Sequence, residues 1–205
     1  MSLDKTNNAI RAAEAHYQKV APTAPQELAL ALQFWSKLIN NSKAAVAMAQ
    51  AGFGSQSAAI HRLSIEYFAF MNSLLEGDTT AEKVEQQKRH ETYQFAKALD
   101  VTQAKDDKLG REALTPENRA GLKKFLENPK NDVPGAGISI FNLLDKADLK
   151  FFHDTYRLYS LYAAHANGIS VVWEPSEDEF DSLFEGVTEL LAIADLKWNL
   201  KLGSS

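Results

Sequence analysis

Two stretches of this chain set polar side chains into an apolar pattern, and both could do chemistry. The first is His61-Arg62-Leu63-Ser64-Ile65-Glu66. Arg62 and Glu66 are four residues apart, which on a helix puts them about 40° apart around the axis and roughly 6 Å along it. They share one face and can form an ion pair. Ala59, Ala69 and Ser73 lie on the same strip, and such small side chains let another helix approach. An enclosed pair must be hydrogen-bonded, and removing one partner would cost roughly 3 to 5 kcal/mol. The second stretch runs from Phe151 to Asn167, with Phe, Tyr or Leu on every face of a helix. That pattern predicts an enclosed helix whose Arg157, Ser160, His165 and Asn167 need internal partners.

On this second helix Tyr156, Ser160 and Asn167 share one stripe, while His165 lies with Asp154, Leu158 and Leu161. Ser160 and His165 are about 140° apart, so a Ser hydrolase pair within the helix is geometrically poor. His165 can instead reach across to Glu66, which would hold one imidazole nitrogen and leave the other for a ligand or a proton transfer. The expected centre is therefore a polar cluster of Arg62, Glu66, Tyr156, Ser160 and His165. Metal chemistry finds little support. No His follows Glu by three residues, no H-E-x-x-H is present, and the five histidines show no i, i+4 pairing. A three-His site assembled from His61, His153 and His165 is the metal arrangement the sequence leaves open. Gly52-Phe53-Gly54 and Gly135-Ala136-Gly137 lack the Lys-Ser/Thr that a phosphate loop requires. We expect no metal and no cofactor.

The chain has 205 residues, enough for one substantial core. With 22 basic and 27 acidic residues, its formal charge of -5 gives no general reason to bind nucleic acid or an anionic membrane. There is no cysteine, which excludes disulfides, thiol nucleophiles and thiolate metal sites. The first residues lack the apolar stretch of a secretory signal, and no run approaches the roughly 20 apolar residues of a membrane helix. The expectation is a soluble cytoplasmic protein without a membrane partner.

Apolar residues recur at steps of three and four, with no sustained strand-like alternation, so the predicted class is all-α. The expected architecture is an antiparallel bundle of four or five principal helices plus short extra helices. Leu28, Leu32, Trp35, Ile39, Ser42, Val46 and Ala49 form one seam on a helix over about 26 to 50. A second helix over about 56 to 76 repeats it in Ile60, Leu63, Tyr67, Phe70 and Leu74, and stops at Gly77. Thr79 with Glu82 reads as a capping box for a third, more polar helix to about Thr102. The run from Glu85 to Glu91 places that helix at the edge of the bundle. Residues 105 to 150 form an irregular excursion, with a short helix begun by Thr115-Pro116 and a break at Asn128-Pro129. Asp148 can cap the helix carrying Tyr156 and Ser160, and Gly168 can end it. Ser176 with Glu179 is a second capping box, for a last helix carrying Phe180, Phe184, Val187, Leu191, Ala194 and Trp198. Residues 1 to 25 hold a short amphipathic helix through Ile10, Ala13, Tyr17 and Val20 and a Pro-containing linker. Residues 26 to 200 are read as a single helical bundle domain.

The segment Ala58-Ala59-Ile60-His61-Arg62-Leu63-Ser64-Ile65-Glu66, with Tyr156-Arg157-Leu158-Tyr159-Ser160 and His165-Ala166-Asn167, resembles a broad bacterial family of unknown function. In that family one helix carries R-x-x-x-E and a later one Y-x-x-x-S followed by His. The likeness covers about residues 27 to 198 and implies a helical bundle with a shared polar centre, and no established activity. A looser likeness runs to the HEPN helical proteins, many of which are RNases of toxin and antiphage systems with R-x4-6-H at a dimer cleft. The nearest match here is Arg157 with His165, whose seven intervening residues turn them about 80° apart and roughly 12 Å along the axis. Two readings of function follow. The first is a non-catalytic ligand-binding or interaction module, a homodimer with a small polar ligand. The alternative is a metal-independent ribonuclease using Arg157 and His165, with Asn167 holding the RNA backbone.

Overall fold

A computed structural model describes residues 3–110, 114–164 and 172–203. Its described residues form eight α-helices and no strand, so the protein is all-α. The chain divides into two compact units, Met1–Asp78 with Ser139–Ser205, and Thr79–Ile138.

The first unit is a helical bundle. Helix α1 (Leu3–Val20) is followed by a single 3-10 turn (Gln26–Leu28), then α2 (Ala29–Gln50) and α3 (Gly54–Glu76). After the second unit the chain returns through α6 (Ile140–Lys146), α7 (Phe151–Tyr159) and a π-helical turn (Ser160–Ala164), and it closes with α8 (Glu177–Gly203). The most extensive pairing is between α2 and α3, joined by a short loop in which Gly52 adopts φ +83°. Helix α8 packs on α1, α2 and α3, while α6, α7 and the π turn pack on α3. At the centre Trp35 of α2 and Trp198 of α8 are fully buried and stacked, with ring centroids 5.0 Å apart. Each buries on the order of 150–250 Å² of largely apolar surface. Helix α1 docks on this core through Thr6, Ile10, Ala13 and Val20. Its His16 lies 3.2 Å from Asp195 of α8.

Several local expectations need correction. The seam of α3 is not Ile60, Leu63, Tyr67, Phe70 and Leu74, none of which is fully buried. The buried face is Ser57, Ala58, His61, Ser64, Ile65, Phe68, Ala69, Met71, Asn72, Ser73 and Leu75. Helix α3 is sandwiched between α2, α8 and α7, and small residues are what such close approach from several sides requires. Tyr67 and Phe70 instead form a flank, where Phe34 of α2 stacks on Phe70 with centroids 5.1 Å apart. Helix α7 is likewise not enclosed all round. Phe152 and Tyr159 are buried, whereas Phe151 and Leu158 are 52% and 47% exposed. Asp148 does not cap it. That residue sits at φ +56°, and Lys150 occupies the cap position without a side-chain bond. Gly168 lies outside the described residues. The capping box at Ser176 does form: Ser176 N donates to Glu179 Oε2 (2.7 Å) and Glu179 N to Ser176 Oγ (3.4 Å).

The second unit pairs α4 (Ala81–Lys108) with α5 (Pro116–Glu127). Helix α4 begins one residue later than the box at Thr79 suggests, because Thr80 Oγ1 takes the N–H of Lys83 (3.3 Å). It also runs six residues past Thr102. Its polar stretch holds a returning segment: Gln86 Nε2 donates to Pro134 O (2.9 Å), Gln87 Oε1 accepts from Ala136 N (2.9 Å), and His90 Nδ1 bonds Val133 O (2.8 Å). These side chains satisfy backbone groups of a stretch that has no ladder of its own.

Candidate functional site

The site is built where α3 crosses α7 and the π turn. Arg62 Nε donates to Ser160 Oγ at 2.6 Å and Nη2 donates to the Tyr156 hydroxyl at 2.9 Å. The same Nη2 lies 2.9 Å from Glu66 Oε1, the i, i+4 ion pair that the spacing allows. The guanidinium carbon also sits 4.6 Å from the centroid of the Tyr156 ring. Two stretches about a hundred residues apart in sequence thus meet on one cation. Arg62 and Glu66 side chains are 15% and 25% exposed, so the cluster lies near the surface of the bundle, neither sealed nor freely solvated. Charge-assisted bonds in such a setting are typically worth about 1.5–3 kcal/mol each.

Ser160 is committed to this arrangement. Its hydroxyl donates to Tyr156 O at 2.7 Å and accepts from Arg62, so its proton points at a carbonyl. A serine so engaged is a positioning group, not an activated nucleophile. The π turn begins at this residue. Beyond Tyr156 the rings continue outward along α7 and α6. Tyr156 lies near-parallel to His153 (6.0 Å), His153 meets the edge of Phe141 (4.9 Å), and Lys150 Nζ stands 5.1 Å from the Phe141 centroid. Tyr156 is thereby held by stacking on one side and by a cation on the other.

One residue away, His61 lies about 100° around α3 from Arg62 and faces Tyr159 and α8. It is fully buried, and neither ring nitrogen has a hydrogen-bond partner. The Tyr159 ring meets it edge-on at 5.8 Å, and Gly186 of α8 packs so closely on Nε2 that a Cβ there would come within 2.8 Å of it. Burial pushes the His61 pKa down to about 4, so the ring is neutral. Burial, with the Glu179 charge adding to it, pushes the Tyr159 hydroxyl up to about 12. The contact of His61 with Gly186 is a feature that helical periodicity misses. Its one signal is a glycine in the middle of an apolar helical run, which marks close approach.

Of the other expected residues, Arg157 is exposed and does not need the internal partner its neighbours suggested. His165 and Asn167 lie outside the described residues. Of the three-His combination, His61 packs on Tyr159 and His153 is sandwiched between Phe141 and Tyr156. Among the described residues no group of three or more His, Asp or Glu side chains is arranged to hold a metal ion, and no helix is long and apolar enough to cross a membrane.

Comparison with curated proteins and with solved structures gives no match. A family model does match, from the 3-10 turn before α2 to the first turn of α8, a span that contains both halves of the Arg62 cluster and three quarters of the chain. Residues 28–180 thus place the chain in the family of unknown function DUF5677, to which it belongs.

Proposed function

We propose that this protein is a non-catalytic binding module in which Arg62 and Glu66 form the recognition point for a small polar ligand. The observation that supports this reading is the three-way hold on one guanidinium by Ser160, Tyr156 and Glu66. A long flexible side chain fixed before a ligand arrives does not have to be ordered on binding, which is the main saving that preorganisation brings. Arg62 Nη1 remains a donor and Glu66 Oε2 an acceptor, neither with a partner among the described residues. A carboxamide or an amino acid, with an acceptor beside a donor, matches that pair. The adjoining π turn fits the same reading, since such turns recur at functional sites. In this reading the module works as a homodimer in the cytoplasm. Phe151 and Leu158, half exposed two turns apart on α7, support a second copy as the partner.

Thermal melting in the presence of glutamine, other amino acids and nucleosides tests the proposal. One class should raise the melting temperature of the wild type while leaving Arg62→Ala and Glu66→Gln unmoved. Degradation of cellular RNA by the pure protein, lost in Arg157→Ala, would overturn the non-catalytic reading.

A further inference from the structure

Helix α4 has 28 residues and α5 has 12, so α5 cannot cover α4 on every side. The buried residues of α4 are Tyr93, Ala96 and Gln103, which form its inner face. On another side Lys88, Thr92, Phe95, Leu99, Thr102 and Asp106 follow steps of 4-3-4-3-4, the spacing of a coiled-coil seam. Phe95 is 65% exposed, Leu99 is half-buried and both threonines are exposed. Thr92 Oγ1 donates to Lys88 O (2.8 Å) and Thr102 Oγ1 to Ala98 O (2.9 Å). Each hydroxyl is satisfied within its own helix, which leaves the methyl groups to extend the apolar surface of Phe95 and Leu99.

The seam is self-complementary about position 97. Lys88 mirrors Asp106, Thr92 mirrors Thr102 and Phe95 mirrors Leu99. In an antiparallel two-fold pair each residue meets its mirror on the other copy. The ends then become ion pairs and the centre becomes two Phe–Leu layers. Glu91 and Lys105 lie along one edge of the seam, centred one residue further on, and add two more pairs of opposite charge. A parallel pair would instead set Lys88 against Lys88 and Asp106 against Asp106. Lys88 already reaches Glu85 Oε2 (3.3 Å), but the two side chains are 72% and 55% exposed, and a pair so solvated gives way readily. Asp106 and Lys105 have no side-chain partner among the described residues.

We propose that α4 docks antiparallel on α4 of a second copy, with Phe95 and Leu99 at the two-fold axis and Lys88 on Asp106. The seam runs about 27 Å along the helix, and a two-helix contact of that length lies at the low end of specific interfaces, below roughly 1,200 Å². The association is therefore weak, with a Kd on the order of 10 to 100 μM. This face is independent of the one at Phe151 and Leu158 and of the Arg62 cluster. A chain bearing both faces is dimeric at low concentration and forms larger assemblies as α4 engages.

Sedimentation velocity of the full chain carrying Phe151→Ser and Leu158→Ser tests the proposal without a contribution from α7. Between about 5 and about 500 μM this variant should pass from monomer to dimer. Adding Phe95→Glu, a change at an exposed position with unaltered circular dichroism as the check on folding, should keep it monomeric throughout. Lys88→Glu should weaken pairing at least about tenfold, because like charges then meet twice in each dimer, and Lys88→Glu with Asp106→Lys should restore it. The chain has no cysteine, so an equal mixture of Thr92→Cys and Thr102→Cys proteins should oxidise to the mixed disulfide in preference to either symmetric one. A monomer at every concentration, association that Phe95→Glu leaves unchanged, no restoration by the double reversal, or a preference for the symmetric disulfides would overturn it.

Discussion

Lowering the pH from 7 to 5 should destabilise this protein mainly through one residue, His61. The ring is fully buried against Tyr159 and Gly186 with both nitrogens unpartnered, so nothing in the fold repays the cost of charging it. Burial depresses its folded pKa from 6.5 to about 4. The unfolded chain therefore binds a proton between those values that the folded chain refuses, and stability falls as pH falls. The contribution is fully present above pH 6.5 and is lost progressively toward pH 4. The whole gap corresponds to about 3 kcal/mol, of which about 2 kcal/mol is gone between pH 7 and pH 5. For a chain of this size that is a drop of about 4–8 °C in melting temperature. Urea titrations at pH 7, 6 and 5, run on wild type and on His61→Leu, isolate the effect. The variant removes the titrating group at nearly constant volume, so its loss of stability over the same range should be smaller by about 2 kcal/mol. Groups distant from His61 are common to both proteins and cancel in the comparison. Parallel pH profiles for the two proteins would refute the reasoning.

Three further outcomes follow from the packing. Arg62→Ala and Glu66→Ala should each lower the melting temperature by about 5–10 °C, from about 2–3 kcal/mol of charge-assisted bonding, and full stability in both would show that the cluster does not cross-link α3 to α7. Gly186→Ala would ordinarily stabilise a helix by up to about 1 kcal/mol, but here its methyl would meet His61 Nε2, and overpacking should reverse the sign to a loss of about 1–3 kcal/mol, readable by urea titration. Sedimentation equilibrium should give a dimer that Phe151→Ser with Leu158→Ser converts to a monomer, and a monomeric wild type would remove the second copy from the proposed function.

How far the sequence leads depends on the range of the interaction concerned. Helix class, the Ser176–Glu179 box and the shared face of Arg62 and Glu66 are matters of three or four residues, and local spacing carries them. The placement of Ser160 on Arg62, 98 residues away, comes from packing and from no local spacing. Periodicity misassigns the buried face of α3 because it picks a single apolar seam, while a helix packed from several sides buries Ser57, Ala58, Ser64, Ala69 and Ser73 along with Ile65, Phe68, Met71 and Leu75. Helix α7 misleads in the opposite direction, since an all-round apolar sequence implies enclosure only if every face has a neighbour. The polar run of α4 reads as a solvated edge, yet Gln86, Gln87 and His90 hold the chain at 133–136, a partner that forms no periodic element. At the Thr79–Thr80 pair two adjacent threonines offer the same chemistry, and spacing alone does not choose between them.

The indole stack at the centre of the bundle sets a lower bound on what can be removed. Trp198, with Leu190, Leu191 and Ala194, lies beyond residue 180, and the helix that carries Ile10 and Ala13 precedes residue 28. A fragment trimmed to the span that defines the family would leave Trp35 facing water where its stacking partner had been, at a cost comparable to the roughly 3–5 kcal/mol of a buried tryptophan deletion. The hallmark region is thus a label within a larger cooperative body, and the two flanking helices are the scaffold that keeps α3, and with it the Arg62 clamp, in register.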